Sequence, residues 1–254
     1  LPRFAHVSMI LGKDKTKLSK RHGATSVTQY RDDGYLPEAL INYLVLLGWA
    51  YDAEQQIFSR EELIQKFTLD KVSKNPAIFD PDKLLWMNGY YIRETDTDSL
   101  TKLAIDHLSK AGLVSSEPSD EELTKIQAVV AILKERIRTV RDIVNQGDFF
   151  FTEEVTFDEE AFQEFLTRNY VPEMFQELKV RLEAISPFNR QTTEQVIRGY
   201  AKEIGRKAGE VIHPLRVALT GRSVSPGIFE VIEILGKDTC CKRIDSALRK
   251  LRQL

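Results

Sequence analysis

The chain has 254 residues, of which 42% are hydrophobic and 29% are charged, and its formal net charge is -2. These values describe a globular protein long enough for two or three hydrophobic cores, and they exclude indiscriminate nucleic-acid binding through bulk charge. No apolar run is long enough to span a membrane, so we expect no membrane association. The adjacent Cys240 and Cys241 cannot easily form a disulfide and lack metal-ligand spacing. They favour reduced thiols in the cytoplasm, and no metal site is predicted.

The first element is an apolar stretch from Phe4 to Leu11 that ends at Gly12, and it predicts one buried strand. The chain begins in this strand-like stretch without an initiator Met. We therefore expect it to be the downstream part of a longer polypeptide.

A basic loop follows, "GKDKTKLSKRHGATS", from Gly12 to Ser26. Lys17 and Lys20 lie three residues apart with Ser19 beside the second, so they could clamp phosphate oxygens if the loop folds back. No Walker A motif is present. The residues alone leave a solvated basic turn open as the alternative.

Helices are predicted for most of the remaining chain. Pro37 starts one, "SREEL" at Ser59 is a capping box, and Asp80-Pro81 starts a helix that Gly89 is expected to end. The pattern changes after "RETDTDS", residues 93–99, where we place a domain boundary.

The second half repeats these helix signals. A helix from about Asp98 should end at Gly112, and a capping box at Ser119 begins an apolar stripe that runs to Val144. One bent helix or two short ones fit this stripe, since Thr139 could cap a new helix. Further helices are predicted over 172–184, 193–208, 214–219, 228–235 and 238–251.

Five stretches resemble, in family order, the glutamyl-tRNA synthetases, which are class I aminoacyl-tRNA synthetases. "KLSKRHG" is similar to the ATP-binding KMSKS signature of that class, and "PRFAHVSMILGKDKTKLSKRHGA" is similar to the strand and loop leading into it. The others are "YLPEALINYLVLLGW", "FDPDKLLWMNGYYIR", "LKERIRTVRDI" and "HPLRVALTGRSVSPGIFEVIEILG". The resemblance therefore covers essentially the whole chain.

The second ATP-binding signature of class I synthetases, HIGH, has no counterpart here. The resemblance implies a parent enzyme that activates L-glutamate with ATP and Mg2+ and transfers it to the 3′ end of tRNA(Glu). Without the HIGH half, the chain alone is expected to bind tRNA, to hold no cofactor and not to catalyse. A standalone tRNA-binding protein derived from such an enzyme is the alternative. The resemblance also predicts a monomer.

The family pattern assigns roles within the basic loop. Lys20 matches the second lysine of KMSKS and would neutralise charge on the triphosphate, and Lys17 would hold the loop. Ser19 and Arg21 complete the predicted ATP contacts.

The fold implied is mainly α. Residues 1–26 would be the edge of a class I catalytic domain, 27–97 a helical stem-contact domain, 98–147 a first anticodon-binding bundle and 148–254 a second. The bundles are typical of the bacterial-type glutamyl enzyme.

Several residues are implied in tRNA contact. Arg216 and Ser225 match positions that read anticodon bases in the family, and one of Arg136, Arg138 and Arg141 would supply a third contact. Asn88 and Arg93 are candidates for the tRNA backbone. On the final helix, we expect Lys242, Arg243, Arg249 and Lys250 to contact phosphates or nothing.

Overall fold

The computed structural model describes residues 4–19, 21 and 26–253, and they fold into two compact units. The first unit comprises Leu1–His107 and Lys134–Ile143, and the second comprises Leu108–Leu133 and Val144–Leu254. The predicted mainly-α fold is confirmed, because within the described ranges only two short strands accompany thirteen α-helices. The predicted domain boundaries stay a prediction, since a compact unit need not coincide with a domain.

The first unit begins with a two-residue strand, β1 (Ile10–Leu11), that pairs in parallel with β2 (Ala77–Ile78). The expected buried strand from Phe4 to Leu11 is wrong, because Phe4 and Val7 are exposed and only two residues have a partner strand. The helices that follow are α1 (Val27–Asp32), α2 (Pro37–Leu46), α3 (Arg60–Lys66), α4 (Pro81–Glu94) and α5 (Thr97–Lys110). The last three residues of α5 belong to the second unit.

The core of the first unit lies between α2 and α4. The Tyr43 hydroxyl donates to the Asp80 carbonyl at 2.9 Å and accepts from the Asp80 amide at 2.6 Å, so the N-terminus of α4 is fixed to α2. Phe79 packs edge-on against the Tyr43 ring. Burying each such ring stabilises the fold by about 2 to 3 kcal/mol. Tyr43 and Phe79 are therefore core residues.

Helix α4 continues past Gly89 to Glu94, so the predicted end at this glycine is wrong. A glycine inside a helix costs about 1 kcal/mol relative to alanine, which packing can offset. Gly89 is buried against the Arg138 backbone. The Ser59 capping box is confirmed, with its hydroxyl accepting from the Glu62 amide and the Glu62 carboxylate accepting from the Ser59 amide.

The apolar stripe after Ser119 forms two helices and not one. Helix α6 (Asp120–Leu133) ends nine residues before α7 (Asp142–Gly147) begins. The Asp142 carboxylate accepts from the amides of Arg138 and Thr139 at 2.9 Å, which stabilises the non-helical segment between them.

The second unit contains the remaining helices. They are α8 (Glu159–Phe165), α9 (Val171–Ala184), α10 (Arg190–Glu203), α11 (Ala208–Thr220), α12 (Ile228–Leu235) and α13 (Lys237–Leu251). Helix α11 begins six residues before the predicted start at Pro214. Proline leaves the carbonyl four residues earlier without its helical donor. That carbonyl belongs to Glu210, and the Tyr170 hydroxyl donates to it at 3.2 Å.

Within the described ranges, no helix is both long and apolar enough to cross a membrane.

Candidate functional site

The basic loop begins as a tight turn after β1. The Gly12 amide donates to the Thr16 carbonyl at 2.8 Å, and Leu11 and Lys17 pair as an isolated antiparallel bridge. The Asp14 carboxylate accepts from both the amide and the hydroxyl of Thr16. These bonds form because Asp side chains readily hydrogen-bond to the backbone two residues on. They place Lys17 where the chain leaves the turn.

Two cations of the loop are already paired with carboxylates. The Lys13 ammonium lies 2.6 Å from Asp82 and 3.5 Å from Asp80, and the hydrogen bond with Asp82 raises the pKa of Lys13. Arg21 donates to the Thr16 hydroxyl at 2.9 Å and lies 3.5 Å from the Asp14 carboxylate. The charges of Lys13 and Arg21 are therefore compensated by carboxylates.

The remaining predicted ATP contacts differ from these pairs. Lys17 is exposed, and its ammonium has no ion pair or hydrogen bond to any described residue. Ser19 is also exposed. Lys20 lies outside the described residues. An exposed ammonium at the end of a tight turn fits an anionic group such as a phosphate.

In the second unit, the structure brings together two residues that the sequence predicted separately. The Arg216 guanidinium, on α11, donates through Nη1 to the Ser225 hydroxyl at 2.6 Å and to the Pro226 carbonyl at 3.0 Å. Ser225 is only 9% exposed, so its hydroxyl holds the guanidinium from below the surface. These bonds fix the plane of the Arg216 guanidinium.

The pair forms because the chain reverses sharply after α11. Gly221 has a φ of +76°, and a Cβ at this position would collide with the Thr156 carbonyl oxygen. The Gly221 carbonyl accepts from the Asp158 amide at 2.8 Å. The Thr220 hydroxyl donates to the Arg216 carbonyl at 2.8 Å and accepts from the Arg222 amide at 3.2 Å. This turn carries Ser225 back to Arg216.

Two further arginines hold this turn, and neither role was predicted from the sequence. Arg222 forms a two-oxygen ion pair with Asp148 at 2.6 and 2.7 Å and donates to the Asn145 carbonyl. Arg243, on α13, is 1% exposed and donates to the carbonyls of Leu219, Phe149 and Thr152. Burial lowers the pKa of Arg243. We call Arg216, Gly221, Ser225 and Arg243 the α11 site.

The expectation that Arg243 contacts phosphates or nothing is wrong, because its side chain is buried. A signal was present in the sequence: Arg243 lies three residues after the buried Cys240 and four before the buried Ala247, on the apolar stripe of α13. Lys250 lies over the rings of Phe157 and Phe162, at 5.0 and 4.5 Å from their centroids. Lys242 and Arg249 are exposed.

The three competing arginines lie in the segment between α6 and α7, which belongs to the first unit. Arg141 is 3.4 Å from the Asp33 carboxylate, whereas the Arg138 side chain has no ion pair with any residue of the described part. Arg136 is exposed. Asn88 is fully buried, accepts from the Leu36 amide at 2.8 Å and donates to the Arg138 carbonyl at 2.5 Å. Its predicted contact with tRNA is therefore wrong.

Metal-ligand chemistry has no obvious place in the described part of the chain, where no three His, Cys, Asp or Glu side chains are grouped to hold an ion. Both cysteines are free and buried, and burial raises the pKa of Cys240 to about 12.

Two family models match the chain. Residues 99–248 match an anticodon binding domain, and residues 1–86 match the catalytic domain of class I tRNA synthetases (E and Q). The first match alone covers more than half of the chain.

Individual relatives agree with these matches. A glutamate–tRNA ligase of Moorella thermoacetica is 42% identical over 253 residues, which is 100% of this chain and 52% of the relative. One of Syntrophobacter fumaroxidans is 45% identical over 249 residues, covering 98% of this chain and 52% of the relative. The chain thus spans about half the length of the curated relatives it matches.

A solved structure shows the same fold. The crystal structure of a glutamate tRNA ligase from Elizabethkingia meningosepticum, in complex with its amino acid, has a TM-score of 0.85 and 32% sequence identity. The similarity covers 99% of this chain and 52% of that one. The resemblance seen in the five sequence stretches is thereby confirmed: the chain belongs to the glutamate–tRNA ligase family of class I tRNA synthetases.

Proposed function

We propose that this chain is the tRNA-binding part of a glutamate–tRNA ligase, from the KMSKS-like loop onward. The full-length protein activates L-glutamate with ATP and transfers it to the 3′ end of tRNA(Glu). One observation supports this proposal most directly. Arg216, on α11, is held by the Ser225 hydroxyl, and both residues lie within the range that matches an anticodon-binding domain.

The basic loop supplies one wall of the ATP site in this proposal. Lys20 neutralises negative charge that develops on the triphosphate, and Lys17 holds the loop against it. Ser19 and Arg21 contact the same phosphates. ATP, carried with Mg2+, supplies the phosphoanhydride whose cleavage activates the glutamate carboxylate. The protein contributes position and charge and forms no covalent bond. The exposed ammonium of Lys17, which has no ion pair with a described residue, fits a phosphate contact better than the paired ammonium of Lys13 does.

The α11 site reads the anticodon in this proposal. The Arg216 guanidinium hydrogen-bonds to a base edge or stacks on a base, and Ser225 fixes its plane. The segment between α6 and α7 supplies the third contact through Arg136, Arg138 or Arg141. The protein acts as a monomer in the cytoplasm.

Binding measurements with two tRNA transcripts test the anticodon role. Arg216→Ala should lose about 1 to 3 kcal/mol of discrimination between tRNA(Glu) and an anticodon-changed variant, with little change in the salt slope. Arg249→Ala, an exposed arginine on α13, is the control. If Arg216→Ala weakens the binding of both tRNAs by the same factor, Arg216 is a phosphate contact or a structural residue. The anticodon assignment is then wrong.

A kinetic measurement tests the loop. In the full-length ligase, Lys20→Ala and Lys17→Ala should lower kcat far more than they weaken tRNA binding, because their charge is needed as phosphate charge develops. If kcat and tRNA affinity fall by the same factor, the loop is a tRNA anchor.

A further inference from the structure

Two arginine side chains lie against Gly89 on α4: the Arg93 guanidinium and the aliphatic part of Arg138. The position that a Cβ would occupy at Gly89 is 3.5 Å from Nη1 of Arg93 and 3.5 Å from Cγ of Arg138. Arg93 is on the same face of α4, four residues after Gly89. Arg138 comes from the non-helical segment before α7. The missing side chain at Gly89 therefore leaves room for both arginine side chains on this face of α4.

The backbone of Arg138 is fixed at this place. Its carbonyl accepts from the buried Asn88 amide, and its own amide donates to the Asp142 carboxylate at 2.9 Å. The side chain itself is exposed. The arginine is thus held by its main chain, while its guanidinium is left to interact with something else.

Neither guanidinium is neutralised by a carboxylate of the described residues. Among residues 4–19, 21 and 26–253, neither Arg93 nor the Arg138 side chain has a carboxylate partner, in contrast to Arg141 with Asp33. The negative end of the α4 dipole explains why an arginine occupies position 93, but it does not explain why a second arginine packs against the same glycine.

Two positive charges on one face of a helix favour an anion, because an anion that contacts both side chains compensates both charges. A neutral base edge would satisfy donors but would leave both charges uncompensated. Arginine is also suited to phosphate, because its planar fork matches two phosphate oxygens.

We propose that Arg93 and Arg138 together bind one backbone phosphate of the tRNA. This inference rests on the proposed function and makes it more specific: it separates Arg138 from the base-reading role and assigns Arg93 as its partner. The pair then anchors tRNA without regard to sequence, while the α11 site discriminates.

The test uses the 254-residue chain, a tRNA(Glu) transcript and an anticodon-changed transcript, with dissociation constants measured over a range of salt concentrations. Arg93→Ala and Arg138→Ala should each weaken the binding of both tRNAs by the same factor, about five- to tenfold at low salt. Each should also lower the salt slope by about one unit. Because both residues contact one phosphate, the double variant should lose little more than either single one. Arg138→Lys should keep the slope, since the charge is retained.

Arg60→Ala is the matched control, because Arg60 is an exposed arginine of the same unit without a described partner. It should leave affinity and slope unchanged, and circular dichroism should show every variant folded. If Arg138→Ala loses affinity for the tRNA(Glu) transcript alone, the inference is overturned and Arg138 reads a base. Unchanged slopes in both Arg93→Ala and Arg138→Ala would also overturn it, with the proposed function intact. If the wild type binds neither transcript, the proposed function itself fails.

Discussion

The basic loop and the α11 site use positive side chains in opposite ways. In the loop, Lys13 and Arg21 lie at the surface beside carboxylates. In the α11 site, Arg216 and Arg243 donate to hydroxyl and carbonyl oxygens, and Arg243 is fully buried. Surface ion pairs are weak and exchange readily, whereas bonds to fixed carbonyls hold a guanidinium in one orientation. The comparison shows a loop able to change partners and a site whose geometry is set before any ligand arrives.

The strongest test of this contrast removes the buried cation. Arg243→Met should lower the free energy of unfolding by about 3 kcal/mol, because it leaves the carbonyls of Leu219, Phe149 and Thr152 without their donor. Urea unfolding followed by circular dichroism measures the loss. Arg249→Met, exposed on the same helix, should cost no more than about 0.5 kcal/mol. Equal stability of the two variants would show that Arg243 does not hold the site.

The second test targets the turn that carries Ser225 to Arg216. Gly221→Ala should cost about 2 kcal/mol, since it combines a positive φ with a collision against the Thr156 carbonyl oxygen. Gly205→Ala is the matched control for Gly221→Ala. Gly205 also has a positive φ, +68°, but no atom lies within 4 Å of its Cβ position. It should cost about 1 kcal/mol in the same unfolding assay. If Gly221→Ala lowers the free energy of unfolding no more than Gly205→Ala does, the turn is flexible enough to accommodate the extra Cβ.

The third test concerns pre-orientation without much change in stability. Ser225→Ala removes the 2.6 Å contact with Arg216 and should reduce discrimination between the two tRNA transcripts by about 1 kcal/mol. Ser225→Thr keeps a hydroxyl and should retain the discrimination. If alanine and threonine behave alike in the binding assay, the hydroxyl does not orient the guanidinium.

The smallest effect is expected in the loop. Lys13→Gln removes the ion pairs with Asp80 and Asp82, yet the unfolding midpoint should not change measurably, because both partners are exposed to solvent. Lys15→Gln, a nearby exposed lysine, is the control in a thermal melt. A clear drop in the unfolding midpoint for Lys13→Gln but not for Lys15→Gln would show that the ion pairs of the loop stabilise the fold. The contrast with the α11 site would then be wrong.

Local signals predicted much of the fold correctly. The Ser59 capping box, the start at Pro81 and the end near Gly112 follow from side-chain and backbone preferences within a few residues. The errors at Gly89 and Pro214 come from tertiary contacts: the Arg138 backbone packs on Gly89, and Tyr170 supplies the donor that Pro214 leaves missing. No window of sequence around either residue contains that information.

The same limit applies to the sites. The resemblance selected Arg216 and Ser225, but the contact between them depends on the turn at Gly221 and on Thr156, more than sixty residues earlier. The role of Arg243 is encoded in three carbonyls from two distant segments. Helical periodicity could reveal that Arg243 is buried, but not which carbonyls it would meet.

The side chain of Asn88 has a consequence for how the protein is made. It joins the Leu36 amide to the Arg138 carbonyl, and the first unit is completed only by residues 134–143. A ribosome adds about 5 to 20 residues per second, so α4 emerges several seconds before the segment that covers it. We expect the nascent chain to expose Asn88 and Gly89 during that interval, while α6, which belongs to the other unit, is being synthesised.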